Sequence, residues 1–445
     1  MTQDPKKIFV TGMTSLHPYA MEFENLGNFV IVEPFFRTLK EEFLTSSITT
    51  SLQLTDDYSQ YVDINVLRDK SLWTFGYKGL LRCCIDFLCA LAWFIAKRIF
   101  RIDLKMLRMC SPRLKALSDA ELVIDFSGDM YGDNAQSIRH FLIWSMAILI
   151  ARLMEKKICF VASSPGPFRS TFRLLVARFV LKQCDLVAVR EPLSHHNLNH
   201  IGLSGAKFVW FPCPSVGFRP LQTMSVNEIR TREPKITADD KPLVGLILCN
   251  INMSEPPLYK WPREDWEYEP FIRIVEALVK RLEVRVCVMS HQNRTDSDCN
   301  FIPSPDHKLV GRLVELIPQE IANDVFTING LYNASGNNFI ISHFSMLISG
   351  RIHGAMQGIS QCIPTAIIDY GMEPKAHKLK GFAMMCGLDD YICDPADTDM
   401  MIERIKSLWK NRQSVHAQLS ERIPTLEKQS RELWKRVRRE WERRL

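Results

Sequence analysis

The fold is decided by residues 122–190, which read LVIDFSGDMYGDNAQSIRHFLIWSMAILIARLMEKKICFVASSPGPFRSTFRLLVARFVLKQCDLVAVR. This stretch contains three short apolar, β-rich runs, at residues 122–126, 158–163 and 186–190, separated by two longer segments of helical composition. Strands that alternate with helices in this way are typical of βαβ units, whose strands pair in parallel and are buried on both faces. The stretch therefore predicts a parallel sheet covered by helices.

The same rhythm continues along the rest of the 445 residues. Residues 219–241 are polar and contain Pro220 and Pro234, which is typical of a linker between compact domains. One more apolar run precedes the quoted stretch and four follow this linker, at residues 8–11, 243–248, 284–289, 346–349 and 364–369.

A chain of this length exceeds one ordinary core, so we predict two Rossmann-like, doubly wound α/β domains. Their expected bounds are residues 1–225 and 240–400, followed by a long helical segment at 401–445. This is the architecture of GT-B-type transferases, in which ligands bind beyond the carboxyl ends of the strands. We therefore expect a substrate cleft between the two domains, and we expect the site residues in loops that follow strands.

The composition, with 46% hydrophobic and 24% charged residues, is that of a folded soluble protein. The thirteen cysteines include no CxxC pair, so the sequence predicts neither a zinc site nor a disulfide framework. The N-terminus runs into a strand without the apolar segment of a secretory signal. A cytoplasmic protein with reduced thiols is expected.

Two segments bear on membranes. Residues 87–96 form an apolar run well short of the ~20 residues that span a bilayer, and we predict that they belong to a buried helix rather than to the alternative, a helix at the membrane interface. Residues 421–445 hold nine Lys or Arg against five Asp or Glu and supply most of the net charge of +6. This amphipathic helix either packs against the protein or touches a phospholipid surface at the inner face of the membrane. No nucleic-acid-binding motif accompanies the charge, so nucleic acid is not an expected partner.

Two loops of the first half are candidate ligand sites. Asn25 and Gly27 come just before the start of an amphipathic helix, where free backbone amides attract an anion. Gly128 and Asp129 follow the run 122–126; glycine lets the backbone approach a ligand, and a carboxylate can orient or deprotonate a hydroxyl. Helix capping and a tight turn explain the same residues without a ligand.

Two further groups follow the next strands of the first half. Ser163 ends the run 158–163 before a stiff Pro-Gly-Pro turn, and a rigid loop holds a ligand with little loss of entropy. Arg190 ends the run 186–190, and its guanidinium needs an anionic partner, which is either a ligand or a neighbouring Glu.

The most informative loop is Gly350-Arg351-Ile352-His353-Gly354, between the run 346–349 and a helix. Arg351 can bind a carboxylate or phosphate with two parallel hydrogen bonds, and His353 can supply a proton near neutral pH. His291 follows the run 284–289. Asp296 and Asp298 have the spacing of a metal-nucleotide motif, which we interpret as a chance pattern in a polar loop. Four aromatic residues after the run 243–248 either stack on a sugar or pack together: Tyr259, Trp261, Trp266 and Tyr268.

In order and spacing these loops resemble the polysaccharide pyruvyl transferase family from about residue 8 to about residue 388. Two features depart from the family pattern, because Asn28 stands where aspartate is usual and the loop at 126–128 has fewer glycines. The matching stretches are 25–28, 127–129, 132–133, 164–168, 185–191, 350–354 and 377–382, the last of which begins with His377 and Lys378.

The resemblance implies transfer of the enolpyruvyl group of phosphoenolpyruvate to two sugar hydroxyls, which forms a pyruvate ketal and releases phosphate. It implies that Arg351 and His353 bind the donor and supply acid catalysis, and that Asp129 and Arg190 belong to the donor site. Our hypothesis for the mechanism is that Arg351 and Arg190 hold the carboxylate and the phosphate of the donor, and that Asp129 orients or deprotonates the attacking hydroxyl. We expect no metal, and no cofactor besides phosphoenolpyruvate as donor. The expected substrate-binding residues are Arg190, Asn25, Gly27, Gly128, Ser163, His291, His377 and Lys378.

Two rival functions stay open at this point. A nucleotide-sugar glycosyltransferase of the same architecture would use Arg351 and Lys378 for a diphosphate. A scaffold of an envelope pathway would release no phosphate with any donor. The expected acceptor is a free or lipid-linked saccharide, and a homo-oligomer is compatible with the sequence.

Overall fold

The computed structural model describes residues 4–12, 22, 24–68, 77–128, 131–133, 137–219, 226–238, 241–250, 262–296, 300–370 and 376–443. The chain divides into two compact units. Unit 1 comprises residues 1–21, 36–213 and 429–445, and unit 2 comprises residues 22–35 and 214–428.

Unit 1 is built on a parallel sheet with seven strands among the described residues. Its strand order is β3-β2-β1-β4-β5-β6-β7, and the central strands are apolar and buried throughout, as a sheet covered on both faces requires. The strands are β1 (Lys7–Gly12), β2 (Ser47–Thr50), β3 (Asn65–Val66), β4 (Leu122–Phe126), β5 (Lys157–Ser163), β6 (Leu186–Val189) and β7 (Phe208–Trp210).

Helices cover this sheet, and serine or threonine side chains accept hydrogen bonds from the first turn of several of them, which satisfies free backbone amides. The helices are α2 (Asp56–Tyr61), α3 (Tyr77–Ile95), α4 (Lys105–Arg108), α5 (Pro112–Asp119), α6 (Ile138–Leu153), α7 (Thr171–Gln183) and α8 (Pro192–His200). Helix α1 (Leu26–Glu42) belongs to unit 2 up to residue 35 and to unit 1 from residue 36. Helix α6 packs between α3 and α7, as right-handed crossovers on one face of the sheet predict.

Helix α3 corrects the prediction that residues 87–96 belong to a buried helix. With the π-helical turn Ala96–Phe100 it forms a 24-residue helix that is long and apolar enough, by length and composition, to cross a membrane. Its inner residues pack in unit 1, but only 33% of its most apolar part is buried.

Unit 2 contains a second parallel sheet, with six strands among the described residues in the order β12-β9-β8-β13-β14-β15. A short antiparallel hairpin, β10-β11, lies beside it in sequence. The strands are β8 (Leu243–Ile247), β9 (Arg285–Met289), β10 (Asn293–Thr295), β11 (Phe301–Pro303), β12 (Val325–Thr327), β13 (Met346–Ser349), β14 (Thr365–Ile368) and β15 (Ile392–Cys393). The two sheets confirm the predicted doubly wound α/β class.

The remaining helices are α9 (Val226–Arg232), α10 (Glu269–Leu282), α11 (Pro305–Leu316), α12 (Ala334–Ile341), α13 (Ile352–Ser360), α14 (Ala376–Cys386) and α15 (Thr398–Glu442). Helix α9 falls in the segment predicted as a linker. Ile229 and Ile236 are buried in the core of unit 2, and Glu233 accepts hydrogen bonds from the backbone N–H groups of Asn329 and Gly330. The described part of this segment therefore packs into unit 2 rather than connecting two bodies.

Helix α15 confirms the long C-terminal helix. In unit 1 its last turns bury an apolar stripe of four residues at helical spacing: Leu433, Trp434, Val437 and Trp441. The indole N–H of Trp434 donates to Oγ1 of Thr38, at 2.6 Å. These side chains pack against the protein, so the apolar stripe of this helix is not exposed to a phospholipid surface.

Candidate functional site

The carboxyl end of β13 holds Arg351 at the start of α13. Ser349 closes the turn, because its hydroxyl donates to the carbonyl of Arg351 at 2.8 Å and accepts from the backbone N–H of Arg351 at 3.2 Å. Gly350 is required between them, since a Cβ at that position overlaps the hydroxyl of the buried Tyr370. Arg351 itself has extended backbone and is the N-cap residue of α13.

The guanidinium of Arg351 is held by two side chains. Its Nε donates to Oδ2 of Asp306 at 2.6 Å, and its Nη2 donates to Oε1 of Gln292 at 2.7 Å. Asp306 is buried and accepts a further bond from the backbone N–H of Asn250, at 3.1 Å. Burial opposes the charge of Arg351, but Cys249 and Asp306 raise the pKa of the guanidinium above its ordinary value.

Part of the guanidinium of Arg351 is available to bind a ligand. Its side chain is 18% exposed. Within the described part of the chain, the N–H groups on Nη1 have no hydrogen-bond partner. The sequence predicted an anion-binding arginine. The structure shows one that is oriented by a carboxylate and an amide, with donors left over for an anion.

His353 stands next to the first turn of α1. His353 is partly exposed as a residue, whereas its Nε2 atom is buried. A Cβ built on Gly27 lies 2.7 Å from Nδ1 of His353 and 2.8 Å from the Cβ of His353. Gly27 therefore admits the imidazole because it has no side chain. Both residues lie in unit 2, and the structure brings together two of the predicted site positions.

Two helix N-termini meet at this imidazole, since α13 begins at Ile352 and α1 begins at Leu26. The N–H groups of a first turn carry a partial positive charge, which favours an anion. The chain before α1 is fixed in unit 2, because the carbonyl of Glu24 accepts from the backbone N–H of Asn293 at 2.8 Å. Asn25 follows directly and is partly exposed.

His291 is inside the protein. Its Nε2 contacts Oε1 of Gln357 at 2.6 Å, and the amide of Gln357 is oriented by donation to the carbonyl of Ala334 at 3.0 Å. The proton of the ring therefore lies on Nε2. Burial lowers the pKa of His291 to about 4, so the ring is neutral near pH 7. The predicted substrate contact becomes a supporting position, beneath the first turn of α13 at Gly354.

His377 and Lys378 lie in the first turn of α14, in unit 2. His377 is buried and Lys378 is half-buried. One turn further on, Lys380 is 3.6 Å from the buried Asp369. The pair therefore belongs to a helix that carries cationic groups, and its role in substrate binding stays a prediction.

In unit 1 the structure brings Gly128, Ser163 and Arg190 together at the carboxyl ends of the neighbouring strands β4, β5 and β6. The hydroxyl of Ser163 accepts from the backbone N–H of Gly128 at 3.0 Å, and Ser163 accepts through its carbonyl from the N–H of Arg190 at 3.1 Å. Arg190 is buried, and its Nε donates to the hydroxyl of Ser164 at 2.8 Å. The neighbouring Glu191 caps α8 instead, accepting from the N–H of Ser194 at 2.9 Å.

The sequence reasoning missed Asp125 in β4. It is fully buried, and its Oδ1 accepts from the backbone N–H of Ser127 at 3.1 Å and from the hydroxyl of Ser127 at 2.5 Å. Its Oδ2 has no hydrogen-bond partner among the described residues. Burial raises the pKa of Asp125 to about 7. The signal was in the sequence, since one carboxylate in a buried apolar strand requires an explanation.

Several other sequence interpretations can be placed. Asp296 accepts from the backbone N–H of Asn300 at 2.9 Å in the β10-β11 hairpin, and the described residues hold no cluster of metal-ligating side chains. Trp266 is partly exposed, and its indole N–H donates to Glu264 at 2.9 Å, whereas Tyr268 is buried. Four residues named in the predictions lie outside the described residues: Asp129, Tyr259, Trp261 and Asp298.

A cavity of about 590 Å³ lies in unit 2 at the other end of α13. Its walls combine aromatic rings, hydroxyls, amides and one ion pair between Arg219 and Glu427, at 2.9 Å. Among the described residues that line it, none is a site residue predicted from the sequence. The candidate site at Arg351 and His353 is thus defined by side-chain chemistry rather than by this cavity.

The family model described as polysaccharide pyruvyl transferase matches residues 25–372, more than half of the chain. A comparison with curated protein sequences gives no match.

Solved structures resemble the chain in fold. UDP-GlcNAc 2-epimerase from Neisseria meningitidis bound to UDP-GlcNAc is 10% identical, with a TM-score of 0.57 over 97% of this chain and 100% of that chain. A glycosyltransferase from Rickettsia africae is 10% identical, with a TM-score of 0.54 over 97% and 98%. The N-terminal domain of trehalose-6-phosphate phosphatase from Candida albicans is 10% identical, with a TM-score of 0.55 over 99% and 100%. These likenesses show a GT-B-like α/β fold with a long C-terminal helix.

Proposed function

Because the chain belongs to the polysaccharide pyruvyl transferase family, we propose that it transfers the enolpyruvyl group of phosphoenolpyruvate to two hydroxyls of a saccharide. The products are a cyclic pyruvate ketal and inorganic phosphate. The acceptor is a free or lipid-linked saccharide of a cell-surface or exopolysaccharide pathway. The family makes the protein a transferase, and the donor is the part that experiment must establish.

One observation carries the proposal. An arginine with spare N–H donors, oriented by Asp306 and Gln292, lies two residues from a half-buried imidazole at the carboxyl end of a parallel strand. Arg351 suits the carboxylate or the phosphate of the donor, and each charge-assisted hydrogen bond contributes on the order of 1.5 to 3 kcal/mol. The helix N-termini at Leu26 and Ile352 add to the attraction for an anion.

The proposed chemistry begins with His353. As the imidazolium it donates its proton to the methylene carbon of the donor, which becomes a methyl group, and the neighbouring carbon becomes an oxocarbenium-like centre. One sugar hydroxyl attacks that centre and returns a proton to His353. The second hydroxyl then displaces phosphate, which takes up the second hydroxyl proton. General acid catalysis of this kind contributes roughly 10²- to 10⁴-fold.

Other predicted residues keep supporting roles in the proposal. Asp129 is the candidate for orienting the attacking hydroxyl. Lys378 is a candidate for a further cationic contact to the donor. Gly128, Ser163 and Arg190 form a cluster in unit 1 that we test separately, through variants scored on the KM for each substrate.

The first experiment measures donor binding by calorimetry and turnover by phosphate release. Wild-type protein is compared with Arg351→Ala, Arg351→Lys and His353→Ala, and Arg312→Ala is the matched control, because Arg312 is an exposed arginine paired with Asp265 at 2.7 Å. We expect Arg351→Ala to weaken binding of phosphoenolpyruvate by roughly 10- to 150-fold, the equivalent of one lost charge-assisted bond. His353→Ala should keep donor binding and lose turnover, and Arg312→Ala should change neither.

The same assay distinguishes the proposed function from the rival one, a nucleotide-sugar glycosyltransferase. UDP-GlcNAc and other nucleotide sugars are titrated beside phosphoenolpyruvate. If a nucleotide sugar binds and phosphoenolpyruvate does not, the donor assignment is wrong. If both His353→Ala and wild type release phosphate at the same rate, the acid role is wrong.

A further inference from the structure

The outer side of α3 is an exposed apolar stripe. Leu81, Ile85, Leu88, Ile95 and Ile99 recur at spacings of three, four or seven residues and are all exposed, Leu88 by 61%. At 1.5 Å per residue, the stripe is about 27 Å long. Apolar residues scattered singly on a surface need no explanation, but a continuous stripe of this length marks a contact surface.

The inner side of α3 carries its buried polar residue. Gly79, Cys83, Ala90 and Trp93 face unit 1, and with them lies Asp86, whose carboxylate is 2.7 Å from the guanidinium of the buried Arg113. Helix α3 therefore differs from an ordinary surface helix, because its ion pair is buried and its large apolar side chains are exposed.

Helix α7 adds a second stripe to the same side of unit 1. Phe172, Leu175 and Phe179 are each more than half exposed and follow one another at helical spacing. Helix α6 packs between α3 and α7, so the two stripes flank it on one face of the sheet. We use the name apolar face for the outer sides of α3 and α7 together with residues 97–108, which form the tip at the end of α3.

The tip that follows α3 combines apolar and basic side chains. Phe100, Ile102 and Met106 are exposed, Met106 by 86%. Residues 97–108 contain five Lys or Arg against one Asp. Within the described part of the chain, Arg101 and Lys105 form no ion pair, whereas Lys97 and Arg98 contact Glu155.

We propose that the apolar face seats the protein on a membrane surface of anionic phospholipid. The argument for this partner is charge complementarity, since exposed apolar side chains beside unpaired Arg101 and Lys105 fit an acyl boundary below negatively charged headgroups. This goes beyond the proposed function and stands on the surface of unit 1 alone. It also places a different element on the membrane from the C-terminal helix considered in the sequence.

Helix α3 lies on the surface in this arrangement and does not cross it. A spanning position would separate Asp86 from Arg113 and leave both charges without their buried partner, which typically costs several kcal/mol. It would also uncover the side of α6 that α3 covers. The whole face is instead available without any change in unit 1.

The test is flotation of the full-length protein with vesicles of phosphatidylcholine and phosphatidylglycerol at 7:3, and with vesicles of phosphatidylcholine alone. We expect binding to the anionic vesicles. Arg101→Glu with Lys105→Glu should lower the partition coefficient roughly 30-fold or more, from the loss of two basic contacts. Ile99→Ser with Met106→Ser should lower it by about tenfold or more, because exposed side chains no longer enter the acyl boundary.

Matched controls separate the face from general effects. Leu44→Ser changes a side chain that is 76% exposed and follows α1, and Arg281→Glu with Lys308→Glu makes the same change in net charge in unit 2. Both should bind as wild type does. All variants should keep the wild-type melting temperature, since the altered side chains are exposed.

Three results would overturn the proposal. The first is a wild-type protein that does not bind the anionic vesicles, or a loss of binding that is equal in the face variants and in the controls. The second is a wild-type dimer in light scattering that Ile99→Ser with Met106→Ser converts to a monomer, without vesicle binding, which would mean that the face pairs two copies. The third is retention in membranes after alkaline carbonate extraction, which would mean that α3 spans the bilayer. In each of these cases turnover with phosphoenolpyruvate in solution is unaffected, so the proposed function stays separately testable.

Discussion

Gly27→Ala should disable the candidate site without unfolding the protein. Gly27 is the second residue of α1, and the Cβ of an alanine there would lie 2.7 Å from Nδ1 of His353. The optimum for such a contact is about 3.5 Å, so one of the two groups has to move by roughly 0.8 Å. Turning the imidazole relieves the contact with Nδ1 but not the 2.8 Å contact with the Cβ of His353. The start of α13 therefore has to shift, because the backbone before α1 is held by the hydrogen bond from Asn293 to Glu24.

The magnitude follows from that displacement. A misplacement of about 1 Å in a catalytic group can cost roughly 10²-fold in rate, so we expect kcat/KM to fall about 100-fold, equivalent to about 2.7 kcal/mol. The effect on stability should be smaller. Overpacking costs about 1 to 3 kcal/mol, and alanine gains up to about 1 kcal/mol over glycine in a helix. The net loss in the free energy of unfolding is then about 0 to 2 kcal/mol.

Gly311→Ala is the matched control. Gly311 lies inside α11, in the same unit, and no atom lies within 4 Å of the Cβ that alanine would add. This variant should gain roughly 0.5 to 1 kcal/mol of stability and keep wild-type kcat/KM. Phosphate release and urea denaturation measure the two quantities. A Gly27→Ala protein that turns over within twofold of wild type would refute the reasoning, because His353 would then not act from the position described.

Three further predictions concern buried charges. Asp306→Asn should raise the KM for phosphoenolpyruvate more than it lowers kcat, and should cost about 2 to 3 kcal/mol in urea denaturation, since Arg351 loses its charged partner but is partly exposed. Burial raises the pKa of Asp125 to about 7, so between pH ~4 and ~7 the folded protein holds a proton that the unfolded chain releases. The contribution of Asp125 to the free energy of unfolding is therefore largest below pH ~4. It falls as pH rises to ~7 and is constant above that pH. Thermal melts of the wild type between pH 4 and 8 should therefore show a decline in stability on the order of a few kcal/mol. Asp125→Asn should lack this decline, and an equal decline in both proteins would contradict the prediction. Asp86→Ala should cost about 3 to 5 kcal/mol by leaving Arg113 charged and buried, and a double variant that also removes Arg113 should recover part of this loss in a double-mutant cycle.

The sequence predicted four strands of each sheet, because each of them is a continuous apolar run: β1, β4, β5 and β6, and β8, β9, β13 and β14. It did not predict the short strands β2, β3, β7, β12 and β15. It also placed Gly128, Ser163 and Arg190 at the ends of three successive strands, and the structure shows them close together, because neighbouring parallel strands end at the same edge of a sheet. The loops that follow them must therefore meet, whatever their sequences are.

The partners of the site were not predictable in the same way. Asp306 follows a serine and a proline at the start of α11, where an acidic residue is fully explained by the helix N-terminus. Gly27 and His353 are more than three hundred residues apart, and no periodicity relates them. Contacts of this kind depend on how a finished unit packs, and a single sequence carries no local trace of them.

The exposed side of α3 escaped prediction for another reason. Hydrophobic periodicity identifies the inner face of a helix only if the outer face is polar. In α3 the charged Asp86 points inwards to Arg113, and the outer positions are occupied by leucine and isoleucine. Residues 87–96 contain no charged residue at all, so their composition did not distinguish an exposed side from a buried one.

Asp306 has a consequence for how the site would attract a donor. Arg351 and Asp306 together carry no net charge. Asp306 orients the hydrogen-bond donors of the guanidinium, and the pair adds no net positive charge to the site. The attraction for an anion then depends on the spare N–H donors of Arg351 and on the N–H groups at the starts of α1 and α13. Binding of phosphoenolpyruvate should accordingly be the same in His353→Ala as in wild type and in Arg312→Ala. If calorimetry shows that His353→Ala weakens binding as much as Arg351→Ala does, the imidazole is part of the anion site, and the arginine and the helix N-termini do not account for the binding by themselves.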